Sequence, residues 1–227
     1  MYCSLTYNIN SDMAFYGDKK AAIISNVTKK TYKFCRETNI IINSHMGTHI
    51  DYPSHCIEDG KFGEDYPIDY LFSKKIFLLD VNLLNVEIPK ISQELFEIDI
   101  PKNVEILIVK THFSHIRNSK RYIWQSPIVN SKLPLYLKNS YPKLKAIGFD
   151  IISVTSQLDK NEGRQCHINF LSEENGQEIL IIEDLNLLDL RSSDIIKEIY
   201  ILPLKFQNID GSPCSVVAKI KRGEKND

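Results

Sequence analysis

Apolar positions fall in short runs along the chain, and most of these runs predict strands. The clearest is Val104 to Val109, where β-branched and apolar residues follow one another almost unbroken, as in a strand covered on both faces. Ala22 to Val27 and Thr31 to Cys35 read as strands pairing across the polar stretch 28–30, and Asn39 to Asn43 reads as a third, carrying a buried apolar run. Ile76 to Val81, Lys145 to Asp150, Glu178 to Glu183, Ile199 to Phe206 and Val216 to Ile220 add further strands. The Asp210-Gly211 turn favours a hairpin between the last two. Helical spacing is sparser. It covers Tyr66 to Phe72, Ser92 to Ile98 with Ser92 as N-cap, Pro134 to Asn139 with Pro134 in the first turn, and His167 to Ser172 behind a polar insertion at 159–165. Residues 111–133 follow neither period, and so long a connection marks a functional or disordered segment. It holds His112, His115, Arg117 and Trp124, which places it beside a pocket. Near the N-terminus, Phe15 and Tyr16 precede a Gly17-Asp18 turn that would present them on a loop. With strands outnumbering helices and no repeat or boundary, the expectation is a single mixed α/β domain over residues 1–227, its tail from 221 to 227 frayed.

Bulk properties narrow the function. A chain of 227 residues can bury a sizeable core without disulfides. Its 28 basic and 29 acidic side chains nearly cancel, which argues against a nucleic-acid partner. No apolar run approaches the ~18 residues of a spanning helix, so no membrane partner is expected. Five dispersed cysteines without a C-x-x-C, together with the lack of a secretory apolar region, point to a reducing, cytoplasmic setting.

Candidate chemistry concentrates between His45 and His55, where three of the six histidines accompany Asp51. Imidazole nitrogen and carboxylate oxygen are the donors that Zn²⁺ and similar divalent ions take. A zincin-type helix is disfavoured by Gly47 and Pro53 and lacks the glutamate after the first histidine. A straight strand would hold His45 and His49 about 13 Å apart, too far to share an ion. A sharp bend at Gly47 would resolve this by folding His49 and Asp51 back toward His45. Thr48 is then placed to orient a neighbouring ligand.

The pattern H-x-G-T-H-x-D-x-P-x-H, filled here by His45, Gly47, Thr48, His49, Asp51, Pro53 and His55, resembles that of the cyclase family, which includes bacterial kynurenine formamidases and isatin hydrolases. Looser matches lie at Ser4-Leu-Thr with Asp12-Met and Gly17-Asp18, at Ile147 to Asp150 with Ser153, and at Glu183 to Leu187. The similarity spans about residues 4–205. It implies a swivelling β/β/α fold around a central mixed sheet, and a homo-oligomer, dimer or tetramer, for which the apolar run from Ile199 to Leu204 is a candidate interface. It also implies one or two divalent ions, zinc foremost and manganese next, held by His45, His49 and Asp51, with Asp51 able to bridge. His167 and Glu183 match the remaining ligand positions. His55 corresponds to the general acid/base of a hydrolase that cleaves the C–N bond of a small linear or cyclic amide with metal-activated water, and imidazole is the side chain that exchanges protons near neutrality.

One position departs from the family. Where kynurenine formamidase-like members present an aromatic residue, often tryptophan, this chain has Phe15 or Tyr16, which keeps an aromatic wall for substrate and leaves its identity open. Cyclic lactone or ester hydrolysis is the nearest alternative activity. A non-catalytic metal-binding protein and a purely structural zinc site are the readings from other classes.

Overall fold

The computed structural model describes residues 1–13, 15–18, 22–27 and 37–223. Its strands, in chain order, are β1 (Tyr2–Ser4), β2 (Ala22–Val27), β3 (Glu37–Ile42), β4 (His49–Asp51), β5 (Phe72–Ser73), β6 (Ile76–Asp80) and β7 (Lys90–Ile91). They continue with β8 (Ile106–Lys110), β9 (Ile128–Val129), β10 (Ala146–Phe149), β11 (Leu180–Glu183), β12 (Ile195–Pro203) and β13 (Gly211–Lys221). The helices are α1 (Lys120–Trp124), α2 (Leu133–Ser140) and α3 (Lys160–Leu171), joined by several single 3₁₀ turns.

Nine strands form one mixed sheet in the order β5-β12-β13-β4-β11-β10-β8-β6, with β1 added against β13. The strands β6, β8, β10 and β11 pair parallel with one another, β4 pairs antiparallel with both β11 and β13, and β12, β1 and β5 are antiparallel to their partners. The strands at the two ends of this path, β5 and β6, are consecutive in the chain and nearly contiguous, so the sheet curls almost into a barrel. This is the mixed α/β domain the apolar pattern predicts. The parallel strands fill one half of this path, and β8, flanked on both sides by parallel partners, is apolar on both faces: Ile106, Leu107, Ile108 and Val109 are all buried. Helices α2 and α3 form the crossovers that parallel pairing requires and pack on each other.

Several expectations change. The run 39–43 belongs to β3, which pairs with β2 as a separate two-stranded ribbon, and Ile40 and Ile41 on it are exposed rather than buried. The strand expected at 31–35 and its turn at 28–30 lie outside the described residues. The polar stretch 159–165 is no insertion: Asp159 accepts from the Glu162 amide as N-cap, and α3 starts two turns earlier than its apolar residues suggest. Residues 111–133 contain a 3₁₀ turn at Phe113–Ile116, then α1 and β9. In the tail, Lys221 ends β13, while Arg222 and the Gly223 amide bond to Asp194, so residues 221–223 are fastened; 224–227 lie outside the described residues. In the run from Ile199 to Leu204, Ile199 and Ile201 are buried in the core while Leu202 and Leu204 are exposed. Among the described residues no helix is long and apolar enough to cross a membrane.

Candidate metal centre

β4 is the shortest strand at the heart of the sheet and carries the chemistry. Alternation puts His49 and Asp51 on one face and sends Ile50, wholly buried, into the core behind them. Its neighbours are β11, where Glu183 stands directly opposite His49, and β13, where Gly211 stands opposite Asp51. Gly211 matters for what it lacks. A Cβ built there would come 2.4 Å from His45 Cε1, so the absence of a side chain makes room for the imidazole.

His45 reaches this face through the bend expected at Gly47, whose φ of 64° lies in the left-handed region. Its Nδ1 lies 2.8 Å from Asp51 Oδ1, and its Nε2 lies 2.9 Å from Asp210 Oδ2. His49 donates its Nδ1–H to the Gly47 carbonyl at 2.8 Å and turns Nε2 inward, 3.4 Å from Asp51 Oδ1 and 3.3 Å from Glu183 Oε2. From α3, His167 uses Nδ1 against the Gly163 carbonyl and Thr155 Oγ1, each at 3.0 Å. Its Nε2 lies 3.3 Å from Glu183 Oε1 and 3.6 Å from Asp51 Oδ2. Glu183 is held by the Val154 amide at 2.6 Å and Ser153 Oγ at 3.2 Å. The loop after β10 therefore orients a carboxylate on β11. His55 closes a 3₁₀ turn begun by Pro53, its ring 4.0 Å from that of His45 and its Nδ1 3.2 Å from Asp210 Oδ2.

All five residues matched to ligand positions thus converge, although β4, α3 and β11 lie far apart in sequence. The electrostatics follow from that crowding. Burial opposes charge on His45 and His167, but hydrogen bonds to carboxylates outweigh it: Asp210 and Asp51 raise the pKa of His45 to about 9, and Asp51 and Glu183 raise that of His167 to about 10. Burial and the neighbouring Asp51 push Glu183 up, yet His167 and His49 pull it down to about 2. Against its own burial, Asp51 is held well below the usual carboxylate range by the neighbouring imidazoles of His49, His167 and His45. Of the five buried side-chain polar atoms without a hydrogen bond among the described residues, two belong to this centre, His49 Nε2 and Asp51 Oδ2. Buried polar atoms are normally satisfied, and these two face the same centre. An imidazole lone pair and a carboxylate oxygen, ringed by further nitrogens and carboxylates, fit a divalent cation. The donor atoms of His45, His49 and Asp51 lie within 4.8 Å of one another, as do those of Asp51, His55 and His167 and those of His45, His55 and Asp210.

The centre opens into a cavity of about 610 Å³ whose lining includes Phe15 and Tyr16, as the aromatic-wall expectation requires. Ile152, Cys56, Lys160, Arg164 and Ile168 line it as well and were not singled out by the sequence. Asp210 was read only as a turn former, and no local pattern distinguishes it from one; its role as partner to two histidines exists only once the β12–β13 hairpin folds over β4. Thr48 does not orient a ligand. Its hydroxyl donates to the Asp184 carbonyl and accepts from the Tyr7 amide, fastening the N-terminal segment to the end of β11. Residues 111–133 do not line this cavity but flank a second one, lined by Ser114 to Ser119; Arg117 there pairs with buried Asp184, His112 pairs with Asp80, and Trp124 is exposed.

The chain is similar to known proteins over most of its length. Kynurenine formamidase from Bacillus cytotoxicus is 26% identical over 220 residues, covering 96% of this chain and 97% of that protein. A solved structure described as a potential metal-dependent hydrolase with cyclase activity superposes with a TM-score of 0.76 at 23% identity, covering 99% of each chain. Isatin hydrolase A from Labrenzia aggregata gives a TM-score of 0.78 at 17% identity, covering 96% of this chain and 93% of that one. The profile of the Cyclase family matches residues 3–156, which takes in His45, His49, Asp51 and His55 and leaves His167 and Glu183 to be placed by the fold. On that match the chain belongs to the Cyclase family.

Proposed function

We propose that this protein is a metal-dependent hydrolase that cleaves the C–N bond of a small amide, in the manner of an arylformamidase. The observation that carries the reading is the convergence of His45, His49, Asp51, His167 and Glu183 around two unsatisfied buried donor atoms. The similarity to a kynurenine formamidase over nearly its full length supports the amide as substrate class. Nitrogen-rich donors with carboxylates favour zinc, with manganese the next choice. Asp51 faces His45 and His49 with Oδ1 and His167 with Oδ2, a disposition that suits bridging between two ions.

A divalent ion supplies Lewis acidity there, polarising a carbonyl oxygen and acidifying water. The remaining work belongs to the chain. Asp210 accepts from His55 Nδ1 and so leaves Nε2 as the nitrogen that can take a proton from attacking water and return it to the departing nitrogen. Asp51 and Glu183 are engaged with the histidines and do not serve as that base. Phe15 and Tyr16 form the wall against which an aromatic substrate stacks. We also assign the chain to the cytoplasm: Cys3, Cys56, Cys166 and Cys214 are all free thiols, which persist in a reducing compartment.

The test is metal analysis followed by turnover of formanilide, N-formylkynurenine and isatin with and without chelator. Chelator-sensitive hydrolysis of a formamide is expected. Bound metal with no chelator-sensitive turnover of any of the three would instead identify a binding protein, and faster turnover of isatin would favour the cyclic substrate.

A further inference from the structure

Helix α3 does more than present His167. Lys160, Arg164, His167 and Ile168 all line the cavity, and their spacing of four, three and one residues marks a single helical face. With a rise of ~1.5 Å per residue, Arg164 sits about 4.5 Å and Lys160 about 10.5 Å along the axis from the residue facing Glu183. Two positive charges therefore lie along the cavity wall on the N-terminal side of His167.

Both side chains are exposed on the helix, and no protein partner among the described residues holds either of them at the cavity. Among the described residues, neither side chain has a hydrogen bond or an ion pair, and neither is among those with interactions to the remaining residues. Like charges four residues apart on a helix repel. Lys160 also occupies the first helical position, where the helix dipole favours negative charge. The nearby acids are otherwise engaged: Asp159 caps the helix, Glu162 accepts from the Ser131 amide, and Glu183 is held by Val154 and Ser153. Arg164 lines the same cavity as Phe15 and Tyr16.

We infer that Lys160 and Arg164 form an anion-binding subsite that receives a carboxylate on the part of the substrate remote from the scissile bond. This rests on the hydrolase reading for the position of that bond and narrows the substrate to an aromatic amide bearing a negative group. Both cations present donors suited to a carboxylate, Arg164 bidentately.

The pair 4-formamidobenzoate and its methyl ester tests this, because methylation removes the negative charge across the ring from the formamide at the cost of one added methyl. With metal-loaded protein, kcat/KM for the acid should exceed that for the ester at least tenfold, and the ratio should fall close to one in the Lys160→Gln, Arg164→Gln double variant. Binding of both compounds to metal-free protein, measured by calorimetry, gives the same comparison without turnover and without carboxylate ligation of an ion. Equal binding of acid and ester by the wild type, or a preference undiminished in the double variant, overturns the subsite. Preferential binding of the acid with no hydrolysis of either compound keeps the subsite and sinks the hydrolase reading; hydrolysis of both without preference does the reverse.

Discussion

Glu183 stands directly across the β4–β11 ladder from His49, and the two side chains meet with His49 Nε2 3.3 Å from Glu183 Oε2. The register of two strands thus sets the separation of two candidate ligands. Glu183→Gln preserves size and the Val154 contact while removing the charge. Metal content by mass spectrometry should fall by roughly 100-fold in affinity, at the upper end of what changes around a metal ligand cost, with the circular dichroism of the sheet retained. Undiminished metal would remove Glu183 from the site.

His55 is exposed and, among the described residues, its side chain is hydrogen-bonded to Asp210 alone, so its loss should leave the fold intact. His55→Ala should retain metal and lose about 10²- to 10⁴-fold in kcat, the range for a positioned acid/base. Loss of metal in this variant would make His55 a ligand, as its place near His45 and Asp210 also permits.

Gly211→Ala tests the room made for His45. The added methyl would lie 2.4 Å from Cε1, so the ring must swing away from Asp51. Metal titration should show weakened binding although no donor has been altered, and wild-type affinity would show that the ring can yield without cost to the site.

Metal uptake should release protons. His45 and His167, with pKa values raised to about 9 and about 10 in the metal-free protein, hold their protons at pH 7, and a cation must displace them. Affinity should therefore rise with pH from 7 toward 9. Calorimetry in buffers of different ionisation enthalpy should report proton release on binding, and a pH-independent affinity would contradict the protonation pattern.

The β2–β3 ribbon leads us to propose self-association. Ile23 pairs with Ile41 and Ile24 with Ile40, so apolar side chains project from both faces of the ribbon, with Ile23 61% and Ile41 65% exposed. Sedimentation should find a dimer or tetramer that dissociates on Ile23→Lys with Ile41→Lys. A wild-type monomer at micromolar concentration would end the idea.

What could be read in the chain beforehand was whatever depends on near neighbours. Val104 to Val109 announced a buried strand because its own composition leaves no polar face, and the spacing from His45 to Asp51 with Gly47 between announced a folded cluster. Three things depended on distant chain. Asp210 looks like any turn residue until the hairpin brings it to His45. The first turns of α3 are polar because they face the cavity and solvent, which disguised Lys160 and Arg164 as an insertion. Ile40 and Ile41 have the composition of a core strand and lie on the surface, and no local rule separates an apolar strand that faces the core from one that faces solvent.

The brevity of β4 has one more consequence. Across three residues its side chains alternate between cavity and core, and both neighbouring strands fix its alignment. A slip of one residue would turn Ile50 toward the cavity and drive His49 and Asp51 into the apolar interior. The strand behaves as a reading frame: the error that would destroy the chemistry is also the one that would bury two ionisable groups against the core, so the fold rejects it before function is consulted.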